Sequence, residues 1–123
     1  MKRKIEFRGK SVDDHKWYIG NLVQFYDGRC FVGYTDVYPD SVGQYTGLND
    51  KNGKEIFEGD ILAHDGKVIG HIVGGVRGYC YDVIYKNPRY EPSWSLYGVV
   101  VNDYKGNVEV VGNVIDNHDL LKS

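Results

Sequence analysis

The sequence predicts an all-β protein, with one domain over residues 1–123 in which short antiparallel strands form a two-sheet sandwich or a partly open barrel. Two observations favour this class. Short apolar runs are separated repeatedly by glycine-containing turns, which is typical of sandwiches and barrels. Outside the C-terminal tail, no stretch shows the sustained 3.6-residue apolar period of an amphipathic helix. The chain of 123 residues is long enough to bury one modest core without stabilising disulfide bonds or metal ions.

Three Asp-Gly or Asn-Gly dipeptides mark predicted tight turns. Asp27-Gly28 and Asp65-Gly66 each stand between two short apolar runs. We predict a two-residue type I′ hairpin loop for both, because these dipeptides accept the positive φ angles that such a loop requires. Asn52-Gly53 makes a third turn, in which Gly53 is expected to have the positive φ.

The second half of the chain is expected to continue the β structure. It holds a predicted strand over 79–85, a loop over 86–92, a pair of strands at 94–101 and 108–114, and a short C-terminal helical turn within 116–121. An Asp or Asn at the start of that turn is a typical helix cap. The turn is expected to place Leu120 and Leu121 against a sheet.

Three segments, 5–10, 42–62 and 111–121, carry a distinctive residue order. The middle segment reads Gln-Tyr-Thr-Gly-Leu, then Asp-x-Asn-Gly, then Ile-aromatic-Glu-Gly-Asp-Ile, and the last begins Val-Gly-Asn. This order resembles the YopX family of small phage and prophage proteins, except that His118 stands where the family often has proline. The residues that carry the resemblance include Gln44, Tyr45, Gly47, Asp50, Asn52, Gly53, Glu58, Gly59, Asp60, Gly112 and Asn113.

The resemblance implies a largely β protein in two sheets, without an enzymatic motif, in a bacterial host cell. It implies no functional residues. Read physically, the motif is a series of sharp turns, in which Asp50 is expected to bond nearby backbone N–H groups and Asp60 to tie the turn that enters a strand. A binding loop is the alternative interpretation of the same segment.

Composition excludes several functions. The net charge of −2 gives no general attraction to nucleic acid or to an anionic membrane. No apolar run approaches the length of a membrane helix or a signal peptide, so a cytoplasmic location is expected. Cys30 and Cys80 lack metal-site or redox spacing and are expected to be reduced and buried. No metal-ligand, nucleophile or phosphate-loop motif is present, so we expect no catalysis, metal or cofactor.

The segment 77–97 concentrates aromatic and basic side chains and is the candidate binding surface. Its members are Arg77, Tyr79, Tyr81, Tyr85, Lys86, Arg89, Tyr90 and Trp94. We interpret it as a protein interface of a non-enzymatic accessory protein, with an unidentified partner or a second copy of the chain. The alternative is a small nucleic-acid-binding β module, because interleaved aromatic and basic residues suit single-stranded nucleic acid.

Overall fold

The computed structural model of the chain describes residues 4–74 and 81–122 and consists of two compact units, Met1–Gly47 and Leu48–Ser123. Helical segments are short and lie at Pro39–Ser41, Gly98–Asp103 and His118–Leu121. The strands are β1 (Phe7–Lys10), β2 (Trp17–Gly20), β3 (Leu22–Gln24), β4 (Cys30–Val32), β5 (Thr35–Val37), β6 (Gly43–Asn49), β7 (Glu55–Phe57), β8 (Asp60–His64), β9 (Lys67–Val73), β10 (Asp82–Tyr85), β11 (Ser93–Ser95) and β12 (Glu109–Asn113).

The first unit contains two small antiparallel groups of strands, ordered β2-β1-β6 and β3-β4-β5. Its core is Cys30, Val32 and Val37, which alternate inward along β4 and β5 in the way that strand geometry dictates. Cys30 is buried and free, which confirms that part of the thiol prediction. Cys80 lies outside the described residues.

The second unit is built on a five-stranded antiparallel sheet with the order β11-β10-β9-β8-β12. The last residues of β6 form a hairpin with β7 at the start of this unit. The central strand β8 is buried from Asp60 to Ala63, and its neighbour β9 is buried at Ile69, Gly70 and Ile72. Both strands have a neighbouring strand on each side. The main core is made of the side chains of Ile56, Leu62, Ile69, Ile72, Val83, Leu96, Val99, Val100, Val108 and Val110.

The predicted all-β class is confirmed, as is the short C-terminal helical turn at His118–Leu121. Among the described residues the strands form three antiparallel sheets, and none of these closes into a barrel. Leu120 and Leu121 are half-buried. Asn117 stands at the predicted cap, but its Oδ1 accepts the N–H of Asn113 at 3.1 Å and makes no cap bond. The single domain over 1–123 stays a prediction.

Of the two predicted two-residue hairpin loops, one is confirmed and one is wrong. At Asp65-Gly66 both residues have positive φ, 48° and 80°, and the flanking residues are paired, so the two-residue type I′ loop is confirmed. At Asp27-Gly28 the predicted type is wrong: Gly28 N donates to Phe25 O at 3.0 Å, and only Gly28 has positive φ. This loop has three residues, a type I turn followed by a left-handed glycine.

The predicted pairing of 94–101 with 108–114 is wrong. The first of these segments forms only the short strand β11, which pairs with β10, and then enters the helical segment Gly98–Asp103. β12 pairs instead with β8. The buried side chains of Val99 and Val100 explain the difference, because their packing in the core overrides the strand preference of a Val-Val-Val run.

The Gly53 turn yields a first testable prediction. Gly53 has φ of 81°, as predicted, and space around it is open, so the cost of a substitution there comes from backbone conformation alone. Gly53→Val is expected to lower the free energy of unfolding by more than about 1 kcal/mol, and Gly53→Asn by less, since Asn tolerates the left-handed region. Urea denaturation of both variants measures the difference. Equal losses would contradict the role assigned to backbone conformation.

Candidate functional site: an aromatic cleft in the second unit

A cleft of about 510 Å³ lies in the second unit beside β10 and β11. We call it the aromatic cleft, since four of its eight lining side chains are aromatic rings. The lining residues are Tyr85, Asn87, Arg89, Tyr90, Glu91, Trp94, Asp103 and Tyr104.

The loop between β10 and β11 forms one wall of the aromatic cleft. Its two ends are fixed, because Tyr85 N donates to Pro92 O at 3.1 Å and Lys86 N donates to Ile69 O at 2.9 Å. Pro92 also restrains the residue before it to an extended conformation. The intervening residues 87–92 are exposed, and Tyr90 is 90% exposed.

Trp94 is held at the cleft by β11 and by the residue that starts the following helix. Trp94 pairs with Val83 of β10, and its side chain remains 44% exposed. Its indole lies so close to Gly98 that a Cβ there would come within 2.8 Å of the ring nitrogen. Glycine at position 98 thus allows the indole to lie directly over the backbone.

The helical segment Gly98–Asp103 brings the opposite wall into place. It has a π-helical hydrogen bond, in which Tyr104 N donates to Val99 O at 3.1 Å. Such segments are rare and occur frequently at functional sites. Its buried Val99 anchors it in the core, while Asp103 and Tyr104 at its end face the cleft.

A smaller hollow of about 260 Å³ adjoins the aromatic cleft and shares Tyr85, Asn87 and Tyr104 with it. His64 lines this hollow, and its ring centroid lies 4.7 Å from that of Tyr104. With the proton assigned to Nδ1, the imidazole donates to Asn107 O at 2.7 Å. This hydrogen bond orients the His64 ring beside Tyr104.

The charges of the aromatic cleft are mixed, with one arginine against two carboxylates. Burial raises the pKa of the Tyr85 hydroxyl, and the nearby charges of Asp103 and Tyr104 raise it further. A raised tyrosine pKa means that the surroundings disfavour negative charge at the hydroxyl. Of these causes, the negative charge of Asp103 is the one that selectively disfavours an anion beside Tyr85.

Four residues of the candidate binding surface line the aromatic cleft: Tyr85, Arg89, Tyr90 and Trp94. Tyr81 is instead half-buried and packs against the core of the second unit. Lys86 is half-buried and is not part of the cleft lining.

The remaining two residues of that surface, Arg77 and Tyr79, lie outside the described residues. Sequence reasoning missed Asn87, Glu91, Asp103 and Tyr104. Asn87 and Glu91 lie within the predicted loop and carried no separate signal. Asp103 and Tyr104 were missed because residues 94–101 and 108–114 were wrongly predicted to pair as strands around them.

The signature acids are held in structural hydrogen bonds. Asp50 Oδ1 accepts the N–H groups of Asn52 and Lys54 at 2.8 and 2.9 Å, as the predicted turn requires. Asp60 is 1% exposed and accepts the N–H of Phe57 at 2.7 Å, so it ties the turn at the start of β8.

The other signature residues also lie in turns and strands. Gly47 and Gly59 have φ near 90°, Tyr45 is buried in β6, and Asn113 Oδ1 accepts two backbone N–H groups that follow it. Gln44 pairs with Phe7, and Gly112 pairs with Ile61. Glu58 Oε2 would lie 2.7 Å from a Cβ at Gly74, so the glycine gives this side chain room.

Within 4–74 and 81–122, no group of three His, Cys, Asp or Glu side chains is placed to hold a metal ion. In the same ranges, no helix has the length and apolar character needed to cross a membrane.

The fold and its cleft define a small antiparallel all-β protein. The model of the family described as YopX protein matches residues 5–122, so the chain belongs to the YopX family. Among solved structures, it is similar to the crystal structure of protein EF1440 from Enterococcus faecalis, with 20% identity and a TM-score of 0.51. That match covers 98% of this chain and 100% of the other and supports the fold alone. Comparison with curated proteins gave no match.

Proposed function

We propose that this YopX-family protein is a non-enzymatic accessory protein of phage or prophage origin, which acts in the bacterial cytoplasm by holding a segment of a partner protein in the aromatic cleft. The observation that carries the proposal is the pair of exposed rings, Tyr90 and Trp94, at a cleft of about 510 Å³. Exposed aromatic side chains with polar neighbours are typical of protein interfaces, where they supply much of the binding energy.

Charge favours a protein partner over the alternative, single-stranded nucleic acid. A strand-binding groove needs positive charge along the phosphate backbone. Here Glu91 and Asp103 outnumber Arg89, and the surroundings of Tyr85 disfavour an anion. A neutral or cationic segment fits these charges better than a polyanion does.

Tyr90→Ala combined with Trp94→Ala is expected to weaken partner binding about tenfold or more, because exposed rings at a cleft are typical hot spots. The unfolding free energy should fall by less than about 1 kcal/mol, since neither ring is buried. The matched control is Tyr26→Ala with Tyr34→Ala, which removes two fully exposed rings from the first unit.

The measurement is quantitative affinity capture from host lysate with all three proteins, with and without nuclease. Proteins that are retained by the control, lost by the cleft variant and insensitive to nuclease support the proposal. Equal capture by all three proteins contradicts it. A partner set that disappears after nuclease treatment would favour the nucleic-acid alternative, whose binding should also weaken as salt rises. Sedimentation of the same proteins shows whether the partner is a second copy.

A further inference from the structure

The two carboxylates of the aromatic cleft are not used in side-chain interactions within the described residues. Glu91 and Asp103 are exposed, and in residues 4–74 and 81–122 neither side chain makes a hydrogen bond or an ion pair. Both nevertheless line the same cleft as Tyr85, Tyr90 and Tyr104. Carboxylates beside several aromatic faces are the combination that recognises an organic cation, through charge attraction and cation–π contact.

The chain already uses cation–π contacts elsewhere. In the first unit, the Arg8 guanidinium lies 4.8 Å from the Trp17 ring, and that of Arg29 lies 5.0 Å from the Phe25 ring. In the aromatic cleft, no described cation of the chain covers the faces of Tyr85 or Tyr90 in this way. Tyr90 is 90% exposed, so its ring is accessible to a cation from another molecule.

We infer that the aromatic cleft selects a cationic side chain, lysine or arginine, carried by the partner segment, with Glu91 and Asp103 as its counter-charges. The inference rests on the proposed function and names the chemistry of its partner. The negative charge of Asp103, which contributes to the raised pKa of the Tyr85 hydroxyl, acts in the same direction, because a carboxylate that disfavours an anion beside Tyr85 favours a cation there. Arg89 is exposed, so its side chain can move away from the incoming charge.

The test uses small probes of known charge and isotope-labelled protein observed by NMR. N-acetyl-arginine amide is compared with its neutral isostere, N-acetyl-citrulline amide, and inorganic phosphate serves as the anion. We expect shift changes at Tyr85, Tyr90 and Tyr104 with a dissociation constant about tenfold lower for the arginine probe than for citrulline. Equal binding of the two isosteres, or tighter binding of phosphate at these residues, would overturn the inference.

The variant arm neutralises the carboxylates without changing their size. Glu91→Gln with Asp103→Asn is expected to remove the preference for arginine over citrulline. The control is Asp13→Asn with Asp40→Asn, two exposed acids of the first unit whose replacement alters net charge equally and should leave the preference intact. A preference that survives in the Glu91 and Asp103 variant would assign the selectivity elsewhere.

Affinity capture separates this inference from the proposed function. If the ring variant loses a partner that the Glu91→Gln, Asp103→Asn variant keeps, the cleft binds protein without reading a cation, and only the inference fails. If the ring variant keeps every partner, the proposed function itself fails. Loss from both variants, together with the arginine preference, supports both.

Discussion

Gly70→Ala is expected to lower the free energy of unfolding by about 3 kcal/mol or more, at the upper end of the cost of forcing extra atoms into a packed interior. A Cβ at this position would clash with the carbonyl oxygen of Ile84 and lie 3.0 Å from the Cα of Tyr85. Both obstacles are backbone atoms of β10, so no side-chain rotation relieves the contact. β9 is also paired on its other side with β8, which restrains any movement away.

The matched control is Gly66→Ala, in the turn between β8 and β9. Space around Gly66 is open, so its cost of about 1 kcal/mol comes from its positive φ of 80° alone. Denaturant unfolding of both variants compares close approach with backbone strain inside one hairpin. A loss at Gly70 that does not exceed the loss at Gly66 would show that the β9–β10 spacing yields easily.

Gly70 also has a consequence for the aromatic cleft. It pairs with Tyr85, the last residue of β10 and the first cleft residue along the chain. Close approach of the two strands at this point sets where the loop of the cleft begins. We therefore expect the Gly70 variant, where it folds, to shift the NMR signals of the cleft residues more than the Gly66 variant does.

The three turns show which features of a loop could be predicted from the sequence and which could not. The glycine of each Asp-Gly or Asn-Gly dipeptide has the predicted positive φ, because glycine takes that conformation without strain. The residue before it follows only in the turn of Asp65, and not in that of Asp27. The dipeptide did not fix the loop length. That length depends on which flanking residues pair, and in the Gly28 turn the Phe25–Arg29 backbone bond sets it at three.

The candidate site was predictable only where its residues are close in sequence. Tyr85, Arg89, Tyr90 and Trp94 were found because aromatic and basic residues crowd into one short segment. The wall that contains Asp103 comes from a segment whose composition favours a strand. Burial of its valines in the core decides its conformation, and that is a tertiary effect with no local signal.

Among the signature residues, Asp50 is the one whose replacement we expect to destabilise the second unit most. Its Oδ1 accepts two N–H groups of its own turn, and its Oδ2 accepts the N–H of Val110 in β12 at 3.0 Å. One carboxylate thus ties the hairpin at the start of the second unit to an edge strand 60 residues further along. Removing it leaves a buried backbone donor on β12 without its acceptor.

Asp50→Asn is expected to lower the free energy of unfolding at neutral pH by about 2 to 3 kcal/mol, because hydrogen bonds to a charged acceptor are stronger than those to an amide. Asp103→Asn is the control in the same unit, since that exposed side chain makes no hydrogen bond within the described residues. It should change stability by less than about 0.5 kcal/mol. Urea denaturation of the two variants and the unaltered chain gives both values.

The pH dependence of the Asp50 effect tests its cause. Burial alone would raise the pKa of this carboxyl, but the three backbone N–H donors outweigh burial and hold the pKa below its ordinary value of 3.8. A group with a lowered folded-state pKa stabilises the fold above its unfolded pKa, near about 4, and loses that contribution as pH falls through the folded value. The stability gap between the unaltered chain and Asp50→Asn should therefore be constant from pH 7 to about 5 and shrink below about pH 4. A gap that persists unchanged at pH 2 would mean that the charge of Asp50 contributes nothing and that replacing an acceptor oxygen by an amide NH2 group accounts for the whole effect.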